Sequence, residues 1–289
     1  MSNTNEKITI SELQEMKKDG EQIVMLTAYD YPTARLVEQG GVDMILVGDS
    51  LGMTVLGYKD TLPVTLQDII SHTQAVCRAV ERPMVVADMP FMSFQVSKED
   101  TLRNAGRIVK ETQAEAVKVE GGEQVLPQVS ALDRAGIPVM GHIGLTPQAV
   151  HQMGGFKVQG RQIQAAKELL VDAQLLQEAG VFSLVLEGIP AEVAREISKT
   201  LTIPTIGIGA GRHCDGQVLV FHDIVGMYDE FTPKFVRQYA DVGEMIKNAV
   251  QEFSSDVRSG EFPSKKESFS ADPEVIAQMK KLSEQVEEE

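Results

Sequence analysis

The sequence has few cysteines, no long apolar run and few cations, and each shortage excludes a class of protein. Its two cysteines, Cys77 and Cys214, lie far apart and form no CxxC pair, which excludes a disulfide scaffold and favours a reducing compartment. No segment approaches the ~20 consecutive apolar residues that a membrane helix needs. Residues 1–16 show no apolar stretch behind a basic start, so they do not match a secretion signal. We therefore expect a soluble, cytoplasmic protein.

The charge balance argues against two kinds of partner. Lysine and arginine together number 27 against 42 acidic residues, which gives a formal net charge of -15 and a pI near 4.8. A surface this acidic repels the phosphates of nucleic acids and of anionic lipids. We expect neither nucleic acid nor membrane as a partner. Hydrophobic residues make up 43% of the 289 positions, enough for a buried core, and the length suits one large domain or two small ones.

Eight short, β-branched segments alternate with longer segments of helical period. The short segments are apolar almost throughout, which is typical of strands covered on both faces of a parallel sheet. They are residues 23–28, 43–49, 84–88, 116–120, 138–142, 182–187, 204–209 and 217–223. Helical periodicity is clearest over residues 65–80, 98–112, 162–180 and 191–201. Several helices end in the helix–glycine–strand pattern of repeated αβ units.

This alternation predicts an α/β fold, a (β/α)8 or TIM barrel. A doubly wound sheet is the alternative, because a strand count does not establish closure, although no GxGxxG follows the first strand. Residues 8–20 predict an N-terminal capping helix, and residues 234–257 predict one long helix, the last of the barrel. We also expect a C-terminal helical extension. We assign residues 1–262 to the barrel and residues 263–289 to a polar, acidic tail, either disordered or a short helix.

Five successive strands end in ionisable residues. In strand order these are Asp49 with Ser50, Asp88, Lys118 with Glu120, His142, and Glu187. The carboxyl ends of barrel strands meet at one rim, where barrel enzymes place their catalytic groups. A single Asp or Ser after a strand is often only a helix cap, but four carboxylates at one rim would repel each other unless a cation lay among them. Mg2+ fits such a site, since it binds oxygen ligands and keeps positions open for water and substrate.

The sequence leaves open which metal binds and what the glycine-rich segments do. Zinc is the alternative metal, although no HxxxH or CxxC spacing occurs among the histidines and cysteines. The glycine-rich segments 120–123 and 207–211 would each admit a ligand close to the backbone, with a phosphate at the second, or would simply form tight turns. The segment 151–161 has glycines and few apolar anchors, which suits a mobile lid above the fifth strand.

Motifs along the chain resemble those of one enzyme family. VGDSLGMTVLGY, ADMPFMS, VKVEGG, GHIGLTPQ, GGFKVQGR, LVLEGIP and IPTIGIGAG occur in this order, between TAYDYPTARL near the start and DGQVLV near residue 220. Together they are similar to the ketopantoate hydroxymethyltransferase family, whose barrels resemble the Mg2+-dependent phosphoenolpyruvate mutases and isocitrate lyases. The resemblance implies one-carbon transfer from 5,10-methylenetetrahydrofolate to 3-methyl-2-oxobutanoate. The product would be 2-dehydropantoate, in the first step of pantothenate biosynthesis.

The same resemblance implies roles for the rim residues. Asp49 and Asp88 match the Mg2+-binding aspartates, and Glu120 matches a third acidic metal residue that acts through water. Ser50 and Lys118 match groups that contact the oxo acid, together with the two aspartates. Glu187 matches the proton acceptor, and His142 is a candidate catalytic residue beside the site. A homo-oligomer, a decamer of two pentamers, is also implied.

Two competing functions share the predicted barrel. A carbon–carbon lyase of the isocitrate lyase kind would carry an acidic cysteine on a flexible KKCG-like loop, a setting that neither Cys77 nor Cys214 has. A non-catalytic barrel that binds a metabolite or scaffolds an assembly is the second. Exchange of the C3 proton of the oxo acid separates this second possibility from an enzyme.

Overall fold

The chain folds into a closed barrel of eight parallel strands that pair in chain order, with β8 beside β1. This computed structural model describes residues 6–228 and 232–287. The strands are β1 Ile23–Thr27, β2 Met44–Val47, β3 Met84–Asp88, β4 Ala116–Glu120, β5 Val139–Gly144, β6 Ser183–Glu187, β7 Thr205–Ile208 and β8 Gly216–Leu219. The predicted (β/α)8 barrel is confirmed, and closure rules out the doubly wound sheet.

Helices follow most of the strands. They are α1 Ile10–Asp19, α2 Tyr31–Gln39, α3 Leu51–Thr54, α4 Leu66–Cys77, α5 Lys98–Thr112, α6 Leu126–Arg134, α7 Val150–Met153, α8 Ile163–Ala179, α9 Ala191–Thr200, α10 Phe221–Ile224, α11 Val242–Ser259 and α12 Pro273–Glu287. Polar residues fix several starting points: the Thr65 side chain accepts from the Asp68 amide at the start of α4, and Ser97 caps α5 in the same way. Such caps satisfy amides that have no partner within the helix.

The N-terminal helix closes one end of the barrel. Leu13 of α1 is fully buried and packs in the barrel interior with Ile23 and Met25. The amide of Ile8, just before α1, donates to the carbonyl of Arg82 at 2.8 Å, and Arg82 precedes β3. The predicted capping helix is therefore confirmed, and it covers the end at which the strands begin.

Inward-facing side chains change from apolar to charged along the strands. Alternate residues of a strand point to the same face. Apolar side chains such as Met84, Val86 and Ala116 fill the interior near the capped end. Two residues further along, the same faces of β3 and β4 carry Asp88 and Lys118. The charged residues therefore collect at the carboxyl end of the barrel.

Two sequence predictions for the C-terminal part were wrong. The eighth strand ends at Leu219, and the segment predicted as its continuation forms α10. The predicted helix over 234–257 begins only at Val242, because Asp241 caps it there by accepting from the Glu244 amide. Before that point the chain is held to α10, since the Tyr239 amide donates to the Ile224 carbonyl at 2.7 Å.

The chain divides into two compact units, one ending at Ala240 and one beginning at Asp241. The second unit contains α11 and α12, so part of the predicted polar tail is helical. The boundary placed at residue 262 stays a prediction. Among residues 6–228 and 232–287, no helix is both long and apolar enough to cross a membrane.

Candidate active site

The charged residues of three neighbouring strands form one connected cluster at the carboxyl end. The amide of Asp49, two residues after β2, donates to Asp88 Oδ2 at 2.8 Å. The ammonium of Lys118 lies 2.6 Å from Asp88 Oδ1 and 3.6 Å from Glu120 Oε1. All four side chains are buried. The structure therefore brings the predicted residues of β2, β3 and β4 together.

His142 links this cluster to Glu187. Its Nδ1 lies 3.3 Å from Glu120 Oε1 and 3.3 Å from Lys118 Nζ, because Glu120 and His142 are register partners on β4 and β5. Its Nε2 lies 3.2 Å from Glu187 Oε2. Glu187 is more accessible, with 15% of its side chain exposed.

Ser50 is held by a residue that the sequence did not single out. Its Oγ shares a hydrogen bond of 2.7 Å with the hydroxyl of Tyr29, which is buried. Burial raises the pKa of the Tyr29 hydroxyl far above its ordinary value, so the phenol keeps its proton. Tyr29 lies inside the motif TAYDYPTARL, and that motif was the available signal.

Gln148 is a second buried residue that sequence reasoning missed. Its side-chain amide donates to Asp49 Oδ2 at 2.9 Å and to the Met89 carbonyl at 3.0 Å. Its backbone amide donates to Glu120 Oε2 at 3.1 Å. Gln148 thus orients two of the predicted acidic residues at once. It belongs to the motif GHIGLTPQ, but an isolated glutamine carries no spacing that predicts this role.

Negative charge exceeds positive charge inside the cluster. Burial, followed by repulsion from Asp88 and Glu120, raises the pKa of Asp49 well above its usual range. Burial also raises the pKa of Asp88, against the attraction of Lys118. Although burial disfavours its charged form, the neighbouring Asp88 and Glu120 raise the pKa of Lys118, so it remains an ammonium. A further cation among these carboxylates would relieve their repulsion.

His142 and Glu120 are coupled by opposite charge. Burial and Lys118 lower the pKa of His142, but Glu120 and Glu187 outweigh them and raise it to about 9. Burial raises the pKa of Glu120, but Lys118 and His142 outweigh it and lower that pKa. Glu120 is therefore an anion, and its oxygens already face Lys118, His142 and the Gln148 amide.

The donor atoms suit Mg2+ better than zinc. Mg2+ is usually held by one or two carboxylates and completes its shell with water and substrate. Asp49 and Asp88 supply such carboxylates, and Asp49 Oδ1 has no hydrogen-bond partner among the described residues. The described part of the chain contains no group of three His, Cys, Asp or Glu side chains that could hold a metal unaided, which disfavours a closed zinc site.

A cavity of about 350 Å³ lies next to the cluster. Asp49, Ser50 and Glu187 line it, so three of the predicted site residues face one space. The rest of its wall is mainly apolar, with residues from the predicted lid segment and from the chain after β8. These wall residues include Met53, Leu145, Phe156, Lys157, Val158, Ile208, Asp223, Lys234 and Phe235. Movement of the segment 151–161 stays a prediction.

The two glycine-rich segments have packing roles. A Cβ on Gly122 would lie 2.1 Å from Asp172 Cγ of α8, so this glycine lets α8 pack against the loop after β4. Gly209 has a φ of 60°, which favours glycine, and a Cβ there would lie 2.8 Å from Cδ1 of Phe235. The segment 207–211 therefore forms a turn against an aromatic ring.

Neither cysteine is set up as an acid or a nucleophile. Burial raises the pKa of the Cys77 thiol to about 12 and also raises the pKa of Cys214. An acidic cysteine needs the opposite shift. His72, on the same helix as Cys77, has Nδ1 2.6 Å from the Tyr29 carbonyl, a structural contact.

The fold is shared with solved structures of other enzymes. A phosphonopyruvate hydrolase solved with oxalate and Mg2+ superposes with a TM-score of 0.59 at 15% identity, covering 89% of this chain and 92% of that one. A 2,3-dimethylmalate lyase of the PEP mutase/isocitrate lyase superfamily gives a TM-score of 0.56 at 17% identity, covering 96% of both chains. At these identities the likeness establishes the fold alone.

Sequence comparison assigns the chain more narrowly. A profile of the ketopantoate hydroxymethyltransferase family matches residues 7–265. The 3-methyl-2-oxobutanoate hydroxymethyltransferase of Acetivibrio thermocellus is 54% identical over 278 residues, 96% of this chain and 98% of that protein. The enzyme of the same name from Heliobacterium modesticaldum is 56% identical over 269 residues, 93% of this chain and 98% of that protein. The chain belongs to the ketopantoate hydroxymethyltransferase family of enzymes.

Proposed function

We propose that the protein transfers a hydroxymethyl group from 5,10-methylenetetrahydrofolate to 3-methyl-2-oxobutanoate and so makes 2-dehydropantoate. The reaction breaks the C3–H bond of the oxo acid and forms a bond from C3 to the methylene carbon. That carbon is at the oxidation level of formaldehyde, and water supplies the hydroxyl oxygen. The arrangement that supports this most directly is Glu187 beside a cavity whose wall also carries Asp49 and Ser50.

Mg2+ fits the donor atoms of this site. Asp49 and Asp88 would hold it directly and Glu120 through water, as the resemblance to the family implies. When bound, the ion would polarise the keto group of the oxo acid and stabilise the negative charge that develops as C3 loses its proton. The carboxylate cluster would bind it more tightly as pH rises, since raised pKa values favour protonated aspartates at low pH.

Ser50, which lines the cavity, and Lys118, in the buried cluster beside it, would hold the oxo acid. Lys118 stays charged inside the cluster and would offset the negative charge of the substrate carboxylate. The hydroxyl of Ser50, fixed by Tyr29, would donate to a substrate oxygen. Lys118 and Ser50 would lower the activation barrier for removal of the C3 proton by orienting the acid with its C3–H bond towards a base.

Glu187 is the proton acceptor in this proposal. It ends β6, lines the cavity and is partly accessible. Its contact with His142 Nε2 at 3.2 Å would keep the carboxylate in place before and after the transfer. His142 therefore positions the base, while Glu187 itself takes the proton from C3.

Proton exchange tests the proposal before any product forms. In D2O, NMR of the C3 proton of 3-methyl-2-oxobutanoate should show exchange that needs the protein and Mg2+ but not the folate. Adding 5,10-methylenetetrahydrofolate should then yield 2-dehydropantoate and tetrahydrofolate in equal amounts. Absence of exchange under all conditions would leave the non-catalytic barrel as the better description.

A homo-oligomer, a decamer of two pentamers, is also proposed on the basis of the family. Helix α11 supports association because apolar residues recur at helical spacing along it, at Ile246, Val250, Phe253 and Val257. Sedimentation velocity of the purified protein at micromolar concentration measures the number of subunits. A monomer at micromolar concentration would overturn this part of the proposal.

A further inference from the structure

The cavity beside Glu187 has more room than the oxo acid needs. A volume of about 350 Å³ falls in the range of ~300–1,000 Å³ that holds drug-sized ligands, whereas 3-methyl-2-oxobutanoate has five carbons. The acid would lie against the part of the wall that carries the polar residues Asp49, Ser50 and Glu187. The remaining wall therefore has space for a second ligand next to the first.

We call this remaining part the outer compartment and define it by Phe156, Lys157, Val158, Asp223, Lys234 and Phe235. Two separate stretches of chain form it: the segment after α7, and the region from α10 onwards. The Phe235 ring packs on Gly209, where a Cβ would approach Cδ1 to 2.8 Å. Phe156 and Phe235 both keep substantial exposure, 55% and 41%. Exposed aromatic side chains in a cavity wall are suited to contact with a flat ring system.

Asp223 is the one carboxylate of the outer compartment. It lies on α10, is partly buried, and its side chain has no ion pair or hydrogen bond with a described residue. Burial raises its pKa to about 6, so at neutral pH it is mostly ionised without a compensating charge. The proposed chemistry at Asp49, Lys118 and Glu187 does not use it. A partly buried carboxylate of this kind is stabilised by a ligand that donates N–H groups.

Two lysines place positive charge in the wall of the outer compartment. Lys157 and Lys234 both line the cavity and both are exposed, although the whole chain carries a net charge of -15. They come from the two different stretches that form the wall. Exposed ammonium groups at a cavity mouth are suited to binding carboxylates that reach into solvent.

We propose that the outer compartment binds the reduced folate, with Asp223 accepting two N–H bonds from the aminopyrimidinone edge of the pteridine. The 2-amino group and the neighbouring ring N–H present parallel donors, which match the two oxygens of one carboxylate. The ring system lies against Phe156 and Phe235, and Lys157 and Lys234 pair with the carboxylates of the glutamate tail. This inference rests on the proposed function and adds the residues that recognise its second substrate.

Two ligands test recognition of the pteridine by Asp223 separately from recognition of the glutamate tail by the two lysines. The stable analogue 5-formyltetrahydrofolate carries the pteridine and the glutamate tail, whereas 6-methyltetrahydropterin carries the pteridine alone. Isothermal titration of each into the full-length protein, saturated with Mg2+ and the oxo acid, gives the dissociation constants. For Asp223→Asn we expect both ligands to bind about 10 to 100-fold more weakly, the loss typical of hydrogen bonds to a charged group. For Lys157→Ala and Lys234→Ala we expect several-fold weaker binding of the folate and no change for the pterin.

Matched variants control for general effects. Asp172→Asn changes a partly buried aspartate whose pKa is also raised by burial but which does not line this cavity, and Lys199→Ala changes an exposed lysine of α9. Both should bind the two ligands as the wild type does. Asp223→Glu keeps the charge but moves it by one methylene, and we expect weaker binding of both ligands. This second variant keeps the test valid if Asp223→Asn fails to fold.

C3 proton exchange, which needs no folate, distinguishes the two possible failures. If the wild type exchanges the proton and binds the folate, but Asp223→Asn and Asp223→Glu bind both ligands as tightly as the wild type, this assignment is wrong and the proposed function stands. If the wild type neither exchanges the proton nor binds the folate, the proposed function itself has failed.

Discussion

Lys118 and Asp88 form a buried ion pair, with Nζ 2.6 Å from Oδ1 and at most 4% of either side chain exposed. The two residues are register partners on adjacent strands, so the pair is set by the barrel itself. Removing one member of a buried pair typically costs about 3–5 kcal/mol, because the other charge is left without compensation. The pair therefore connects the stability of the barrel to the chemistry of its carboxyl end.

Asp88→Ala should raise the Mg2+ requirement and weaken oxo-acid binding together. The variant removes one metal-binding carboxylate and leaves Lys118 buried without its nearest anion. We expect a higher Mg2+ concentration for half-maximal C3 exchange and a higher KM for the acid. A Mg2+ titration of the exchange rate measures the first, with the exposed residue Asp19 as an alanine control. An unchanged metal dependence would count against Asp88 as a ligand.

Glu187→Gln should abolish C3 exchange while the oxo acid still binds. The amide cannot accept the proton, and loss of a general base typically costs about 10²–10⁴-fold in rate. Deuterium exchange followed by NMR gives the rate, and calorimetry gives the affinity. Glu192→Gln, at an exposed position in the first turn of α9, is the matched control. Exchange at the wild-type rate in Glu187→Gln would remove this residue from the role of base.

Gln148→Leu should destabilise the protein and disturb the acidic cluster. Leucine is similar in size but donates no hydrogen bond to Asp49 or to the buried Met89 carbonyl. We expect the free energy of unfolding to fall by about 1–3 kcal/mol, the cost of leaving a buried acceptor unpaired. Urea denaturation measures this, with Gln164→Leu on the exposed side of α8 for comparison. Equal stability of Gln148→Leu and the wild type would contradict the contacts seen here.

Gly48→Ala should lower activity without unfolding the barrel. A Cβ at this position would lie 3.0 Å from Ser50 Oγ and 3.3 Å from Asp88 Oδ2, so both side chains would have to shift. We expect a higher KM for the oxo acid and slower exchange. Gly106→Ala is the control, because nothing lies within 4 Å of a Cβ there and alanine favours a helix interior. Similar kinetics for the two variants would show that the space at Gly48 is unimportant.

The rim residues were predictable because strand periodicity carries them. Asp88, Glu120 and Glu187 each stand at the last position of a short, buried strand, and strand ends meet at one rim in any barrel. Gln148 and Asp223 were not predictable, because they reach the site from loops and a short helix whose course depends on tertiary packing. The cytoplasmic location and the lid remain predictions.

The error over residues 234–257 has a physical reason. Phe235 and Val236 continue the apolar period of α11, so the sequence pattern extends the helix to them. In the structure Phe235 instead packs on Gly209 and lines the cavity. The spacing of apolar residues does not distinguish one face of a helix from an aromatic side chain that lines a cavity.

The position of the N-terminal helix bears on the order in which the substrates bind. Because α1 covers the base of the barrel, both substrates of the proposed reaction would enter at the opposite end, and the folate would lie above the smaller acid. Turnover should then follow a compulsory order, in which the oxo acid enters first and 2-dehydropantoate departs last. Product-inhibition patterns measure this order, and 2-dehydropantoate should compete with the oxo acid alone.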